Sequence, residues 1–456
     1  MLLALACALA LPSAAFAAQA QVFQQPASSP DAPSGNYTGQ SNSTISNGPL
    51  VPGKAFDRFI QIWIENTDYE TAASSPVFQN LSKDGILLDS YYALTHPSEP
   101  NYLAAVAGSF WGLGGDDFVH VPQNISTVVD LLEQGNVSWA NYQENMPSDG
   151  FTGFNFTSAD YLTGSSTYTY YVRKHNGLIV HDSVANVSSR ALRNRNFNDF
   201  AVDLKANAIP QWVWVTPNLV NDGHDTTIDF VGDWLNFWLV PLLTHPAFND
   251  NRTLVVLTFD ETETRTINNR VYTLLLGGAV PAPLRGTTDP TYYTHYSTLS
   301  TVEANWALMS LGRGDTNATL NNVFAFVANA SGWANNGLAG NASAIPLTNL
   351  TGDVPGPLNS GFYLPFPAPD VAAKGAGGKG VFVAPGLDAS VTVESLGAPV
   401  NLTAKGLANP WAGDGGIGDA SANAPAAGTG AAVARGARAG LLAVVVAVVF
   451  GAAMVL

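Results

Sequence analysis

The sequence is poor in sulfur and in charge. A single cysteine, Cys7, and four methionines stand among 456 residues, so no internal disulfide framework or thiolate metal cluster can be built from this chain. Charged residues make up 12%, about half of the ~25% usual in soluble domains. Solubility must then come from Ser, Thr, Asn and attached sugars. Positive charge is scarcest: 19 Lys and Arg face 35 Asp and Glu, for a net charge of −16. That balance excludes nucleic acid binding through a broad basic face. Hydrophobic residues reach 46%, with ten Trp, which is enough for a large core and too much for a disordered chain.

The sustained apolar runs lie at the two ends. Residues 1–20 carry an apolar stretch from Leu2 to Leu11 and then small residues in Ala-Phe-Ala and Ala-Gln-Ala, the pattern of a secretory signal peptide. Its removal would take Cys7 with it. From Ala439 to Leu456 every residue is small or apolar, and Arg435 and Arg438 precede the run. With small residues upstream at Ser421-Ala422 and Gly428-Thr429-Gly430, residues 431–456 are expected to be a GPI-attachment signal, with a retained membrane anchor as the alternative. Thirteen Asn-X-Ser/Thr sites (Asn36, Asn42, Asn80, Asn124, Asn136, Asn155, Asn186, Asn251, Asn317, Asn329, Asn341, Asn349 and Asn401) have no Pro at X. They predict a glycosylated exterior on a secreted, cell-surface protein.

Between the ends, residues 21–54 are rich in Ser, Pro, Gly, Asn and Gln and are expected to form a mobile leader. From Phe56 onward, apolar strand-like runs (56–64, 86–94, 137–142, 211–215, 253–259, 271–280) alternate with helical patterns (76–85, 126–134, 197–206, 228–243, 297–311). Alternation of this kind predicts an α/β/α sandwich with a mostly parallel central sheet over 55–330. Residues 331–430, rich in Ala, Gly, Pro and Ser, read as a low-complexity stalk.

Ligands of parallel α/β sheets bind beyond the carboxyl ends of the strands, and there the polar residues gather: Glu65-Asn66, Thr95 to Tyr102, Asn221 to Asp225, Asp260-Glu261 and His295. A phosphate ester would bring a strongly negative group to a chain with few cations near these positions. The hard oxygen donors Glu65, Asn66, Asp260 and Glu261 suit one divalent cation that offsets this charge. Ser98 is then the candidate nucleophile, with His224 and His295 as candidate proton donors to the leaving alcohol. Each histidine could equally bind phosphate oxygens or a second metal. His96, Asn66 and Asp222 are candidate substrate contacts. Each piece has a plainer reading too: His96 as a turn residue before Pro97, and Asn101 as the N-cap of a helix over 102–107.

The segments IENTDYE (64–70), THPSEPNY (95–102), STVVDLLE (126–133), YVRKHN (171–176), TPNLVNDGHD (216–225), FDE (259–261) and HYSTLSTVEANW (295–306) together resemble the secreted fungal acid phosphatases of the phosphoesterase family, relatives of bacterial acid phosphatases and phospholipases C. The resemblance implies an alkaline-phosphatase-like fold and hydrolysis of phosphate monoesters at acidic pH. It also implies one metal at Glu65, Asn66, Asp260 and Glu261, a nucleophile at Ser98 with Thr95 as runner-up, and Asn101 as a phosphate contact. Asp260-Glu261 departs from the Asp-Asp of bacterial relatives, and Glu261 reaches farther than Asp. Competing expectations are a phosphodiesterase or phospholipase C and, from another class, a catalytically silent wall glycoprotein.

Overall fold

The computed structural model describes residues 22–42, 44–164, 166–339 and 354–413. The expected signal peptide (1–20) and GPI signal (431–456), and the stalk residues 340–353 and 414–430, lie outside the described residues. No helix among the described residues is long and apolar enough to cross a membrane.

Ten strands matter here: β1 (Arg58–Ile64), β2 (Ile86–Tyr92), β3 (Trp139–Gln143), β4 (Asn155–Ala159), β5 (Thr167–Val172), β6 (Asn194–Asn196), β7 (Trp212–Thr216), β8 (Thr253–Phe259), β9 (Thr273–Leu276) and β10 (Thr287–Thr294). Eight form one sheet in the order β10-β2-β9-β8-β1-β7-β3-β6. All neighbours are parallel except β9, which runs antiparallel to both β2 and β8. β8 is buried at every residue and β1 at all but Arg58, which explains their near-continuous apolar sequence: strands covered on both faces show no alternation. The α/β class with a mostly parallel sheet is thus as the alternation predicts.

Two helix expectations change. The apolar pattern over 228–243 breaks into Ile228–Phe237 and Leu239–Leu242, because Pro241 lacks an N–H and its ring crowds the carbonyl four residues back. The helix after the Thr95 loop starts at Ser98 and runs to Ala107. Pro100 fits its first turn, where an N–H has no helical partner, so Asn101 lies inside the helix and is not its N-cap.

The segment expected to be a mobile leader is instead bound along the β6 and β7 side of the domain. Ser34 N–H donates to Asn198 Oδ1 (2.7 Å), Asn42 N–H to Asp199 Oδ1 (2.9 Å), Ile45 N–H to Asp203 Oδ1 (3.1 Å) and Val51 N–H to Gln211 Oε1 (2.9 Å). Tyr37 is fully buried against Phe197, with ring centroids 5.5 Å apart. Buried side chains of the helix Phe197–Lys205 serve the leader backbone in place of a strand, a pairing that composition does not reveal. Part of the expected stalk is also docked: Leu358 joins Trp111, Leu113, Val119 and Val121 in one apolar cluster, and Phe366 stacks edge-on against Trp111 at 5.0 Å.

Candidate functional site

The loops leaving β1, β7 and β8 are stitched together by their backbones. Glu65 N–H donates to Asp222 O (2.9 Å), Asp260 N–H to Ile64 O (3.0 Å) and Thr67 N–H to Glu261 O (3.3 Å). Glu65, Asp222, Asp260 and Glu261 are consequently gathered with no exposed surface, although they are far apart in sequence.

Ser98 sits at the N-terminus of its buried helix, and its hydroxyl donates to Glu65 Oε2 at 3.1 Å. It is also near enough to Asp260 to act on the acidity of that carboxyl. Glu65 Oε1 receives the Tyr102 hydroxyl and lies 3.3 Å from His175 Nε2. Asn66 Nδ2 donates to Glu261 Oε1 (3.2 Å), and Glu261 Oε2 is 2.9 Å from His96 Nδ1 and 3.3 Å from Asn101 Nδ2. Burial pushes the pKa of all four carboxyls up, and for Asp222, Asp260 and Glu261 the charge of Glu65 adds to the push.

Both Asp260 oxygens and Asn66 Oδ1 are buried without a hydrogen-bond partner. Clustered carboxylates out of water without compensation are costly, and these are hard oxygen donors. The residue set therefore fits a divalent cation on chemical grounds.

Three expected site residues have different surroundings from those anticipated. His295 does not reach the opening: its ring is fully buried on Trp63, with Nε2 on Asp260 O (2.6 Å) and Nδ1 on the Tyr91 hydroxyl (3.2 Å). Burial holds it at a pKa of about 4, so it supports the Asp260 turn and is not placed to donate a proton to a leaving group. Asn101 is engaged inside the loop, accepting from Leu94 N–H (3.0 Å) and Thr95 N–H (3.2 Å) and donating to Thr95 O (2.9 Å). It shapes the loop that presents Ser98 and has no free face for phosphate. Asp222 contacts His175 Nδ1 (3.4 Å) and accepts from His224 N–H (2.8 Å), which makes it a brace for two histidines.

His224 stands at the rim with its side chain 30% exposed, Nδ1 2.7 Å from Asp225 Oδ1 and Nε2 3.2 Å from Lys174 Nζ. Although burial opposes the charged ring, the bond to Asp225 leaves its pKa raised. His175, in the short turn Arg173–His175, is the main residue that the sequence reading left without a role. It bridges Glu65 and Asp222, stacks on Tyr102 at 5.3 Å, and is held neutral by burial. The available signal was Arg173-Lys174-His175, three consecutive basic residues in a chain with few. Glu65, His175 and His224 each offer a ligand atom, all within 4.8 Å of one another.

The profile of the Phosphoesterase family matches residues 33–309. Among curated proteins, the acid phosphatase of Aspergillus fumigatus is 45% identical over 71% of this chain and 69% of its own length. The probable acid phosphatase of Kluyveromyces lactis is 49% identical over 62% and 66%, and the acid phosphatase of Aspergillus niger is 40% identical over 80% and 84%.

Proposed function

Because the chain belongs to the Phosphoesterase family, we propose that it is an acid phosphatase that hydrolyses phosphate monoesters through Ser98. The observation that carries this reading is the Ser98 hydroxyl bonded to Glu65 inside a nest of four buried carboxyls. Glu65 Oε2 orients the hydroxyl proton so that the Oγ lone pair faces the phosphorus. Attack forms the Oγ–P bond as the Ser98 proton passes to Glu65 Oε2, and it breaks the bond to the leaving alcohol, which takes a proton from His224 Nε2; water then attacks the phosphoserine, returning one proton to His224 while Glu65 gives its proton back to Ser98 Oγ, and phosphate is freed. Asp225 fixes the His224 tautomer through Nδ1. Glu65, Asn66, Asp260 and Glu261 would hold one divalent cation, which when bound polarises phosphoryl oxygens as a Lewis acid.

A secreted, glycosylated setting is part of the same proposal. Of the thirteen Asn-X-Ser/Thr sites, Asn341 and Asn349 lie outside the described residues; of the other eleven, ten are exposed and Asn124 is half-buried. Among the described residues fifteen asparagines are buried, and none of these belongs to such a site. This segregation is what a chain carrying bulky sugars needs in order to fold.

Ser98→Ala and Asp260→Asn are each expected to lower kcat/KM on a phosphate monoester by at least ~10³-fold with the circular dichroism spectrum retained. An active wild type whose rate survives both changes would refute the site.

A further inference from the structure

Lys174 carries a fixed positive charge at the opening of the carboxyl nest and has no part in the chemistry described so far. Its Nζ donates to Asp116 Oδ2 at 3.0 Å and lies 3.2 Å from His224 Nε2, and an ammonium has further N–H groups to give. Its side chain is 16% exposed, so it is anchored yet open to a ligand. Asp116 also accepts from Glu99 N–H at 3.0 Å, which ties the lysine to the first turn of the Ser98 helix. The neighbouring Arg173 turns the other way: its Nη2 donates to Val119 O at 2.8 Å, and its Nη1 is 3.8 Å from Glu99. Lys174 acts electrostatically on the nest, because its charge favours the ionised forms of Glu65, Asp222 and Asp260 against the larger push of burial. His224, which Lys174 touches, has its ligand atom within 4.8 Å of that of Glu65, so the ammonium stands directly beside the carboxyl that holds the Ser98 hydroxyl.

A phosphate monoester has three terminal oxygens, whereas a diester has two and carries an alkylated oxygen in place of the third. Resting on the reading of the site as a phosphatase, we propose that Lys174 Nζ binds the third terminal oxygen of a phosphate monoester and thereby makes the site select monoesters over diesters. Asp116 holds the ammonium at the rim, and the alkylated oxygen of a diester offers it a weaker acceptor behind a bulky substituent. A charge-assisted hydrogen bond from an anchored ammonium to this charged oxygen orients the phosphoryl group toward Ser98, so it discriminates in the rate as well as in binding.

The test compares kcat/KM for 4-nitrophenyl phosphate and methyl 4-nitrophenyl phosphate, which share a leaving group, in the wild type, Lys174→Gln and Lys174→Arg, each checked for folding by circular dichroism. The wild type is expected to prefer the monoester. Lys174→Gln should lower the monoester rate by about 10²-fold and the diester rate by less than about threefold, while Lys174→Arg, which keeps the charge, should retain a monoester preference. Equal losses on both esters in Lys174→Gln, or a preference lost as fully in Lys174→Arg, would overturn the proposal, as would a wild type that favours the diester. A wild type inactive on both esters would instead remove the phosphatase reading, and this proposal with it. If Lys174→Gln does not fold, the Lys174→Arg ratio and the wild-type preference decide the question.

Discussion

At the scale of single residues, the two histidines singled out in the sequence turn out to have opposite environments. His224 is at the rim with a carboxylate on one nitrogen, and its pKa is raised; His295 is sealed against Trp63 with both nitrogens bonded, and its pKa falls to about 4. If protonated His224 donates to the leaving alcohol, activity declines as pH rises through its pKa, which lies above the ordinary value of 6.5. His224→Gln should remove that basic limb from the kcat profile and lower the maximal rate by about 10²-fold; a wild-type limb that persists in the variant would exclude the role. His295→Ala should act differently. It opens a cavity beneath the Asp260 turn, so it should lower the melting temperature and the affinity for an added divalent cation while leaving the shape of the pH profile intact. Cation affinity equal to that of the wild type would show that His295 does not position Asp260. Residue types marked Ser98, Glu65 and Asp260 as candidates from sequence alone, and the fold brings the three together. They could not separate His224 from His295, because exposure depends on packing and not on the residue's own chemistry.

At the scale of elements, the helix Tyr296–Trp306 is buried along its whole length and carries Glu303 in the interior. Burial, and then the charge of Asp315, push the Glu303 carboxyl well above its usual range. The folded protein therefore binds a proton here that the unfolded chain releases above its ordinary pKa of 4.5, and stability contributed by this group falls as pH rises beyond that value. Glu303→Gln should raise the melting temperature at neutral pH more than at pH 4 and flatten its pH dependence; an unchanged slope would mean the carboxyl is ionised in the fold. The leader gives a second test at this scale. Tyr37→Ala removes a fully buried ring packed on the helix Phe197–Lys205 and should cost about 3 kcal/mol, seen as a lower urea midpoint with an unchanged slope. A mobile leader would show no change. Strands and most helices were legible because apolar periodicity reports burial directly. The leader was not, since its contacts are backbone N–H groups bonded to side chains more than a hundred residues away.

At the scale of the whole molecule, the residues beyond the sheet are part of one fold with it. Phe382 N–H donates to Ser310 O (2.8 Å), and Trp411 and Phe366, 5.6 Å apart, close over the cluster around Trp111. His120 N–H bonds to Trp411 O at 2.9 Å, close in sequence to Asp116, which anchors Lys174. Trp411→Ala should lower the melting temperature by several degrees and leave kcat within about threefold of wild type; an unchanged melting temperature would return this segment to the status of a loose stalk. The sequence by itself determined the α/β class, the parallel core strands and the carboxylate, serine and histidine positions at strand ends, because each is a local pattern of hydrophobicity or chemistry written within a few residues. Only the tertiary structure decided that His175 joins Glu65 to Asp222, that Asn101 and His295 serve the loops, and that the low-complexity flanks pack on the domain. Those outcomes depend on which distant groups share a low-dielectric space, where pairing, neutrality and hydrogen-bond satisfaction are set by neighbours in three dimensions.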